Sequence, residues 1–345
     1  MLKRYELNPI IKKEMINPSN EPLSVEYVIN PGVAKLGNET ILLMRVAESA
    51  HRDDDNTVNI PIVSDNKLEI KKIPKNMPSY DYSDSRVIKT PNGSYLTTLS
   101  HLRTARSTDG IHFRIDSAPA LFPATELEKY GIEDARITQI DSTYYITYSA
   151  VSELGILPCL AATEDFITYK RKGPIFHSAN KDVVIFPEKI NGMYCALLRP
   201  MPAEFGTYDI WYAESPDLIH WGGYKHVLSP KAGSWYNERV GASIPPVKTE
   251  KGWLVIYHGA SAEGVYCAGA LLLDLNNPYK IISISEKPFM IPTESYETGG
   301  FFSNTVFPTG AVEKNGNLHI YYGCADTCIS AADIPVDFLL KQLLN

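Results

Sequence analysis

A short unit recurs along the chain, in which a polar or glycine-containing turn is followed by an aromatic or aliphatic strand. The six fragments with this pattern are LGNETILLMR (36–45), PNGSYLTTLS (91–100), IDSTYYITYS (140–149), INGMYCALLR (190–199), EKGWLVIYHG (250–259) and KNGNLHIYYG (314–323). Turn residues followed by alternating β-branched and aromatic residues are typical of hairpin strands. Their intervals of about 50 to 60 residues match four strands for each blade of a β-propeller.

A second motif follows several of these units: ARSTDGIHF (105–113), AATEDFITY (161–169) and AESPDLIHW (213–221). Helical periodicity is weak except near IPVDFLLKQLLN (334–345). No low-complexity or charge-block linker divides the chain. The sequence therefore predicts an all-β protein with one propeller domain over residues 1–345, and the bare count of units leaves five or six blades open.

Composition excludes several classes of partner. The net charge of -7 argues against nucleic acid or an anionic membrane, because both favour a basic surface. No stretch of about 18 apolar residues could span a bilayer, and MLKRYELNPI lacks the apolar run of a signal peptide. The five cysteines are scattered, which predicts a buried and reduced set in a cytoplasmic protein without a zinc site.

Charged residues stand where the predicted strands begin or end. Such positions converge on the central funnel of a propeller, and two acids occupy similar places in successive units, Asp84 and Asp134. Arginines are placed in the same way in five units: Arg45, Arg86, Arg103, Arg136 and Arg199. Guanidinium groups bind carboxylates and phosphates through paired hydrogen bonds. The pattern therefore predicts an anionic or polyhydroxyl ligand.

The chain resembles glycoside hydrolase family 130, the inverting β-mannoside phosphorylases and related β-1,2-mannosidases. The resemblance runs from end to end over NPG (30–32), ARSTDGIHF (105–113), YGIEDARIT (130–138), NKDVVIFPEKINGMY (180–194), GWLVIYHGA (252–260), LLLDLNNP (271–278), FFSNTVFPTGA (301–311) and YYGCADT (321–327). The resemblance implies a five-bladed β-propeller. Within this family, the chain is most similar to the branch that acts on β-1,2-linked mannose.

The resemblance also implies roles for individual residues. GIEDARI matches the family's Glu-Asp-Pro-Arg motif, with Ala135 in place of proline, and its aspartate, Asp134, would be the general acid. The sugar-binding positions implied by the family or by their place beside the funnel are Asn30, Arg45, Asp84, Arg86, Asp182 and Asp326. The neighbouring Glu133 is expected to tune Asp134 or to orient Arg136. Trp235, in the loop AGSWYNE (232–238), is a candidate to stack on a sugar ring.

Inverting cleavage needs an acid on the leaving oxygen and a nucleophile on the opposite face of the sugar ring. A phosphorylase needs no base, because phosphate is itself a nucleophile, but it needs cations to hold that anion. By resemblance those groups are Arg199, Arg239 and His258. A hydrolase would need a second carboxylate to activate water, and Glu238 is the candidate base.

The sequence therefore predicts a cytoplasmic, glycosyltransferase-type glycoside phosphorylase. Its partners would be a β-1,2-linked manno-oligosaccharide and inorganic phosphate, with release of α-mannose 1-phosphate and with no cofactor or metal. One alternative is an inverting β-1,2-mannosidase that uses Glu238. A non-catalytic sugar-binding propeller is a further alternative, although a lectin has no use for an acid such as Asp134. The sequence leaves open whether the chain forms a homo-oligomer.

Overall fold

The computed structural model describes residues 1–52, 54–202 and 204–345, and nearly all of their regular structure is β-strand. The prediction of an all-β protein is thus confirmed. No helix among these residues is both long and apolar enough to cross a bilayer. All five cysteines are buried and free, as predicted.

The short N-terminal strand β1 (Lys3–Arg4) and a 3-10 helix at Lys13–Met15 precede the first antiparallel group, which carries an insertion. In chain order the segments of this group and its insertion are β2 (Leu23–Leu36), β3 (Glu39–Ala50), β4 (Thr57–Ser64), β5 (Lys67–Pro74), β6 (Asp81–Asp84), β7 (Val87–Thr90), β8 (Gly93–Leu96), β9 (Leu99–Ser107) and β10 (Arg114–Ile115). The strand order is β2-β3-β9-β10, and the insertion forms two small sheets, β4-β5 and β6-β7-β8.

The second and third groups are four-stranded antiparallel meanders. After a 3-10 helix at Glu126–Glu128, the second group comprises β11 (Gly131–Ile140), β12 (Thr143–Ser152), β13 (Gly155–Thr163) and β14 (Lys170–Pro174). The third comprises β15 (Asn180–Ile185), β16 (Tyr194–Pro200), β17 (Ile210–Ser215) and β18 (Gly222–Leu228). A parallel bridge between Gly131 and Ser100 joins the second group to the first.

The last two groups complete the chain. The fourth comprises β19 (Arg239–Ala242), β20 (Val247–Thr249), β21 (Gly252–Ala260), β22 (Tyr266–Leu273) and β23 (Ile281–Ile284). The fifth follows the helical turn α1 (Ser295–Thr298) and comprises β24 (Val306–Lys314), β25 (Asn317–Cys324) and β26 (Cys328–Pro335). Strand β1 pairs with β26, so the N-terminus completes the C-terminal sheet. The predicted terminal helix is present as α2 (Val336–Leu344).

A repeated aspartate turn explains the second sequence motif. Asp109, Asp165 and Asp217 each accept hydrogen bonds from the backbone N–H groups two and three residues later, at 2.8 to 2.9 Å. Short polar side chains stabilise turns in this way. Asp274 makes the same contacts before β23, although its sequence, LLLDLNNP, has little in common with the other three.

The first strands of the groups lie side by side. Strand β2 contacts β11 and β24, β11 contacts β15, and β15 contacts β19. Four of them, β2, β11, β15 and β24, shift register at a β-bulge. The shifts lie between Ile29 and Gly32, between Glu133 and Arg136, between Lys181 and Val184, and between Pro308 and Gly310. A bulge redirects side chains and is common beside active sites. The apolar core lies between neighbouring groups, as where Val255 packs near Leu197.

Candidate active site

Three polar residues occupy equivalent bulges and share an unusual backbone conformation. Asn30, Asp134 and Asp182 have φ values of 48°, 52° and 53°. The left-handed region is tolerated by Asn and Asp better than by most residues, because their short side chains bond locally. The bulge in β11 also explains how Glu133 and Asp134 can be neighbours within a strand, since two residues of the bulge oppose one residue of the partner strand.

Both acids of that bulge are bound by cations. Arg45 donates to Asp134 Oδ1 at 3.2 Å and to Glu133 Oε1 at 2.8 Å. Lys181 donates to Glu133 Oε2 at 3.0 Å, and the amide of Asn30 donates to Asp134 Oδ1 at 2.9 Å. Glu133 therefore holds Arg45 and Lys181, and the expectation that it orients Arg136 was wrong.

The environment of Asp134 favours its ionised form. Burial alone would raise the pKa of this carboxyl, but the charges of Arg45, Lys181 and Arg136 and the hydrogen bond from Asn30 outweigh burial and lower it. Asp134 is therefore a carboxylate at neutral pH in the substrate-free protein.

A second cluster surrounds Asp182. Arg199 Nε donates to its Oδ2 at 2.6 Å, Arg136 lies 3.4 Å from its Oδ1, and His258 Nε2 lies 3.3 Å from Oδ2. The other nitrogen of His258 is 3.1 Å from Ser243 Oγ. Burial opposes ionisation of Asp182, yet the charges of Arg199 and Arg136 and the hydrogen bond from His258 hold its pKa well below the usual range. Burial lowers the pKa of His258, which is therefore neutral at pH 7.

A glycine makes the contact between His258 and Asp182 sterically possible. A Cβ atom on Gly241 would lie 2.5 Å from His258 Nε2 and 2.7 Å from Asp182 Oδ2. Gly241 lies in β19 directly opposite His258 in β21. Any side chain at position 241 would therefore push the imidazole and the carboxylate out of place.

Two arginines converge on one aromatic ring. The Cζ atoms of Arg199 and Arg239 lie 5.5 Å and 4.8 Å from the ring centroid of Tyr208. A hydrogen bond from Val240 N to Tyr208 O, 3.0 Å long, ties this segment to β19. The Nε of Arg239 is buried and has no hydrogen-bond partner among the described residues. A guanidinium donor with unused capacity is thus held at Tyr208, beside the arginine that binds Asp182.

Glu238 stands apart from this centre. Its side chain is 44% exposed, and its Oε1 lies 3.6 Å from Arg239 NH2. It is an ion-pair partner for Arg239 at the rim, and it does not line the cavity described next.

A cavity of about 260 Å³ brings together nine of the eleven predicted site residues: Asn30, Arg45, Arg86, Asp134, Asp182, Arg199, Arg239, His258 and Asp326. Asp84 lines a larger adjoining cavity of about 1100 Å³, which shares Arg86 and Asp326 with the first. Asp84 accepts two hydrogen bonds from the Arg86 guanidinium, at 3.0 and 2.9 Å, and Arg86 lies over the ring of Phe302.

Asp326 joins the two cavities. It adopts φ 50° in the loop between β25 and β26. Burial is the main reason that its pKa is raised to about 6, with Asp134 and Glu133 adding to the effect and Arg45 and Arg86 opposing it.

Sequence reasoning missed several residues that line the smaller cavity. Lys181 is the most important, because it binds Glu133 and lies beside Asp182. Its position beside Asp182 in the motif NKDVV was the available signal, but such a lysine is usually a solvated surface charge. Tyr208 had none, since its role depends on a bridge to a distant strand. Trp235 does not line either cavity, and it stacks instead on Tyr257 at 5.4 Å between the rings.

The described residues contain no group of three or more His, Cys, Asp or Glu side chains that could hold a metal ion. The site offers a buried carboxylate flanked by cations, with two guanidinium groups on one side and a larger cavity on the other.

Comparison with known proteins agrees with this geometry. A β-1,2-mannobiose phosphorylase from Listeria innocua is 44% identical over 99% of this chain and 98% of its own length. The solved structure of that phosphorylase in complex with β-1,2-mannobiose superposes with a TM-score of 0.96 at 43% identity, covering 99% of each chain. A 1,2-β-oligomannan phosphorylase from Thermoanaerobacter sp. is 40% identical over 70% of this chain and 81% of its own. The model of the family Glyco_hydro_130, described as β-1,4-mannooligosaccharide phosphorylase, matches residues 92–344, so this chain belongs to glycoside hydrolase family 130.

Proposed function

We propose that the protein is an inverting glycoside phosphorylase that cleaves β-1,2-linked manno-oligosaccharides with inorganic phosphate and releases α-mannose 1-phosphate. The observation that carries this proposal is the convergence of Arg199 and Arg239 on Tyr208, at the same cavity as Asp134. The names of the relatives from Listeria and Thermoanaerobacter support the β-1,2 linkage.

The architecture we propose is a single five-bladed β-propeller over residues 1–345. Five antiparallel groups follow one another along the chain. Neighbouring groups are in contact through their first strands, except that the fourth group contacts β24 of the fifth through β22. The pairing of β1 with β26 supports a ring in which the N-terminus completes the last blade. The 260 Å³ cavity lies where the first strands meet, which is the funnel of such a ring.

Asp134 is proposed to protonate the glycosidic oxygen, directly or through a hydroxyl of the departing sugar. In the free protein its carboxylate is held by Arg45 and Asn30. A sugar that takes over hydrogen bonds from these two side chains weakens their stabilisation of the carboxylate. The phosphate dianion adds negative charge nearby, and both changes favour the protonated form that an acid catalyst requires.

The phosphate is proposed to lie between Arg199 and Arg239. Arg199 gives its Nε to Asp182, which leaves its terminal nitrogens for a ligand, and Arg239 has an unpartnered Nε. Charge-assisted hydrogen bonds from two guanidinium groups offset the mutual repulsion of phosphate and the nearby carboxylates. His258 is neutral and stabilises Asp182, so its proposed contribution is positioning and a single hydrogen bond.

The sugar is proposed to contact Asn30, Arg45 and Asp326, with further units extending toward Asp84 and Arg86. The adjoining 1100 Å³ cavity has room for such units, and Arg86 and Asp326 line both cavities. We further propose a cytoplasmic location, which five buried free cysteines support.

The hydrolytic alternative requires a base that activates water. Glu238 is 44% exposed, pairs with Arg239 and does not line the cavity, which supports phosphate as the nucleophile. A sugar-binding protein without catalysis would gain nothing from an acid held among three cations.

The test is incubation with β-1,2-mannobiose, with and without inorganic phosphate, followed by NMR of the products. We expect α-mannose 1-phosphate and mannose in equal amounts, formed only when phosphate is present, and formed at least about a hundredfold more slowly by Asp134→Asn. Free mannose alone, formed at the same rate without phosphate, would identify a hydrolase. Absence of turnover on every manno-oligosaccharide in either condition would overturn both enzyme assignments.

A further inference from the structure

Two cysteines close the loop that carries Asp326. Cys324 ends β25, Cys328 begins β26, and the two are direct register partners. Register partners in an antiparallel pair have Cα atoms about 4.5 to 5.5 Å apart. That separation lies within the range of about 4.4 to 6.8 Å that a disulfide spans. The other three cysteines lie on β13, β16 and β22, and none of these strands pairs with β25 or β26.

Cys328 lines a surface cavity that Cys324 does not line. The cavity has a volume of about 560 Å³ and also includes Lys12 and Lys13, whose side chains are exposed. Cys324 is fully buried, whereas Cys328 is 6% exposed. We therefore expect a small oxidant that enters this cavity to react with Cys328 first.

The surroundings make Cys328 the more acidic thiol of the pair. A hydrogen bond from Cys324 lowers the pKa of Cys328, burial works against this, and the hydroxyl of Thr327 and the charge of Lys12 add to the lowering. Burial raises the pKa of Cys324. Nucleophilic and resolving thiols differ in this way, because the thiolate is the form that reacts with oxidants.

The loop between the two cysteines reaches the proposed sugar site. It has three residues, Ala325, Asp326 and Thr327, and the first two are in the left-handed region. Thr327 lines both the 560 Å³ cavity and the 1100 Å³ cavity, while Asp326 lines the latter and the 260 Å³ cavity. Each cysteine is thus two residues from Asp326, the residue proposed to face the sugar.

We propose that Cys328 and Cys324 form a redox-sensitive dithiol, and that its oxidation to a disulfide displaces Asp326 and weakens sugar binding. The Cys328 thiolate attacks one oxygen of a peroxide, the O–O bond breaks, and a sulfenic acid and hydroxide form. Cys324 then attacks the sulfenic sulfur, the S–S bond forms, and the sulfenic oxygen leaves as water with the thiol proton. Overall, two thiols and one hydrogen peroxide give one disulfide and two waters.

The disulfide requires a closer approach than the paired strands provide. Cβ atoms of direct partners are about 4.5 to 5.5 Å apart, whereas a disulfide needs about 3.5 to 4.5 Å. Closing the bond narrows the base of a three-residue loop in which Asp326 is the middle residue. The effect on activity rests on the sugar-binding role proposed above for Asp326, whereas formation of the disulfide does not.

The experiment treats the folded, full-length protein with hydrogen peroxide, blocks the remaining thiols with an alkylating agent, and digests with trypsin. The stretch between Lys314 and Lys341 contains no other Lys or Arg and holds only these two cysteines. We expect this peptide to lose two hydrogens and to escape alkylation, and a dithiol reductant to reverse the change. Cys267→Ser is the matched control for Cys328→Ser, because both thiols are 6% exposed.

In the wild type and in Cys267→Ser, oxidation should raise the KM for β-1,2-mannobiose on the order of tenfold, equivalent to one lost hydrogen bond to a charged group. The KM for phosphate should change little, and Cys328→Ser should be insensitive to peroxide. The peptide measurement needs no activity, so it stands even if the proposed reaction is wrong. A fully alkylated peptide after oxidation, or equal oxidation of Cys267, overturns the proposal. A disulfide with unchanged KM overturns its link to Asp326.

Discussion

Arg45 and Asp134 are joined by a hydrogen bond of 3.2 Å, and the same guanidinium also holds Glu133. The proposed acid is therefore ionised before the substrate arrives, since burial is outweighed by the charges of Arg45, Lys181 and Arg136. Protonation of Asp134 then has to follow from substrate binding. In the proposed mechanism, Asp134 therefore becomes a proton donor only in the complex with substrate.

Asp134→Asn removes the transferable proton and keeps the size of the side chain. We expect the fold to be retained and turnover to fall about 10²- to 10⁴-fold, which is the usual contribution of a general acid. Circular dichroism checks the fold, and the rate of mannose 1-phosphate formation checks the chemistry. Near-normal turnover would mean that another residue supplies the proton.

Lys181→Met tests the electrostatic control of Asp134. The lysine lowers the pKa of Asp134, so its removal should raise that pKa. Because Asp134 must take up a proton in the complex in order to act, the alkaline limb of kcat, which reports the enzyme–substrate complex, should move to higher pH. The measurement is the pH profile of kcat.

Lys181→Arg is the control for that experiment, because it keeps the positive charge beside Glu133. Its alkaline limb should stay close to that of the wild type. An unshifted limb in Lys181→Met, with the fold intact, would show that the lysine acts only as a structural partner of Glu133.

The strands were predictable because they repeat. Each of the six turn-and-strand fragments lies on strands of the structure, and the aspartate turns at Asp109, Asp165 and Asp217 were visible as a motif. The repeat at Asp274 has the same hydrogen bonds but a different sequence, so pattern matching missed it. A hydrogen-bonded turn can be predicted where the same residue types recur. It cannot be predicted where different residue types form the same geometry.

The site was predictable only in part. The roles assigned to Asp134, Arg199 and Arg239 came from a family resemblance, and the residues alone indicated no more than charged groups at strand ends. Lys181 was missed because a lysine beside an aspartate is usually a solvated surface charge. Its pairing with Glu133 depends on two bulges on different strands, which the sequence does not show.

Gly241→Ala should disturb the site without removing any functional group. The new Cβ would lie 2.5 Å from His258 Nε2, so the imidazole and Asp182 must shift. We expect a loss of roughly 1 to 3 kcal/mol in the free energy of unfolding, typical of overpacking, together with weaker phosphate binding. Gly222→Ala is the control, since a Cβ there meets nothing within 4 Å. Equal effects of the two substitutions would show that backbone flexibility, and not the clash, is responsible.

Asp326→Asn should stabilise the protein while impairing sugar binding. The pKa of Asp326 is raised to about 6 by burial, so the folded state holds its proton more tightly than the unfolded state. The wild type is therefore destabilised by this group as the pH rises from about 4 through about 6, by about 1 to 3 kcal/mol. The variant should unfold at higher urea than the wild type above about pH 6, and the difference should vanish below about pH 4. If the difference in stability between Asp326→Asn and the wild type did not depend on pH, packing and not ionisation would be its cause.

Arg239 and Glu238 provide the decisive comparison between phosphate and water as the nucleophile. Arg239→Ala should raise the KM for phosphate sharply, because the charge-assisted hydrogen bonds that Arg239 is proposed to donate to phosphate are lost.

Glu238→Gln removes a carboxylate that lies 3.6 Å from the guanidinium of Arg239. For a phosphorylase it should leave turnover intact and keep or lower the KM for phosphate, since a competing negative charge is gone. For a hydrolase the same substitution should abolish most of the activity. Steady-state kinetics with phosphate varied at saturating β-1,2-mannobiose separate the two, and loss of turnover in Glu238→Gln would overturn the assignment of phosphate as the nucleophile.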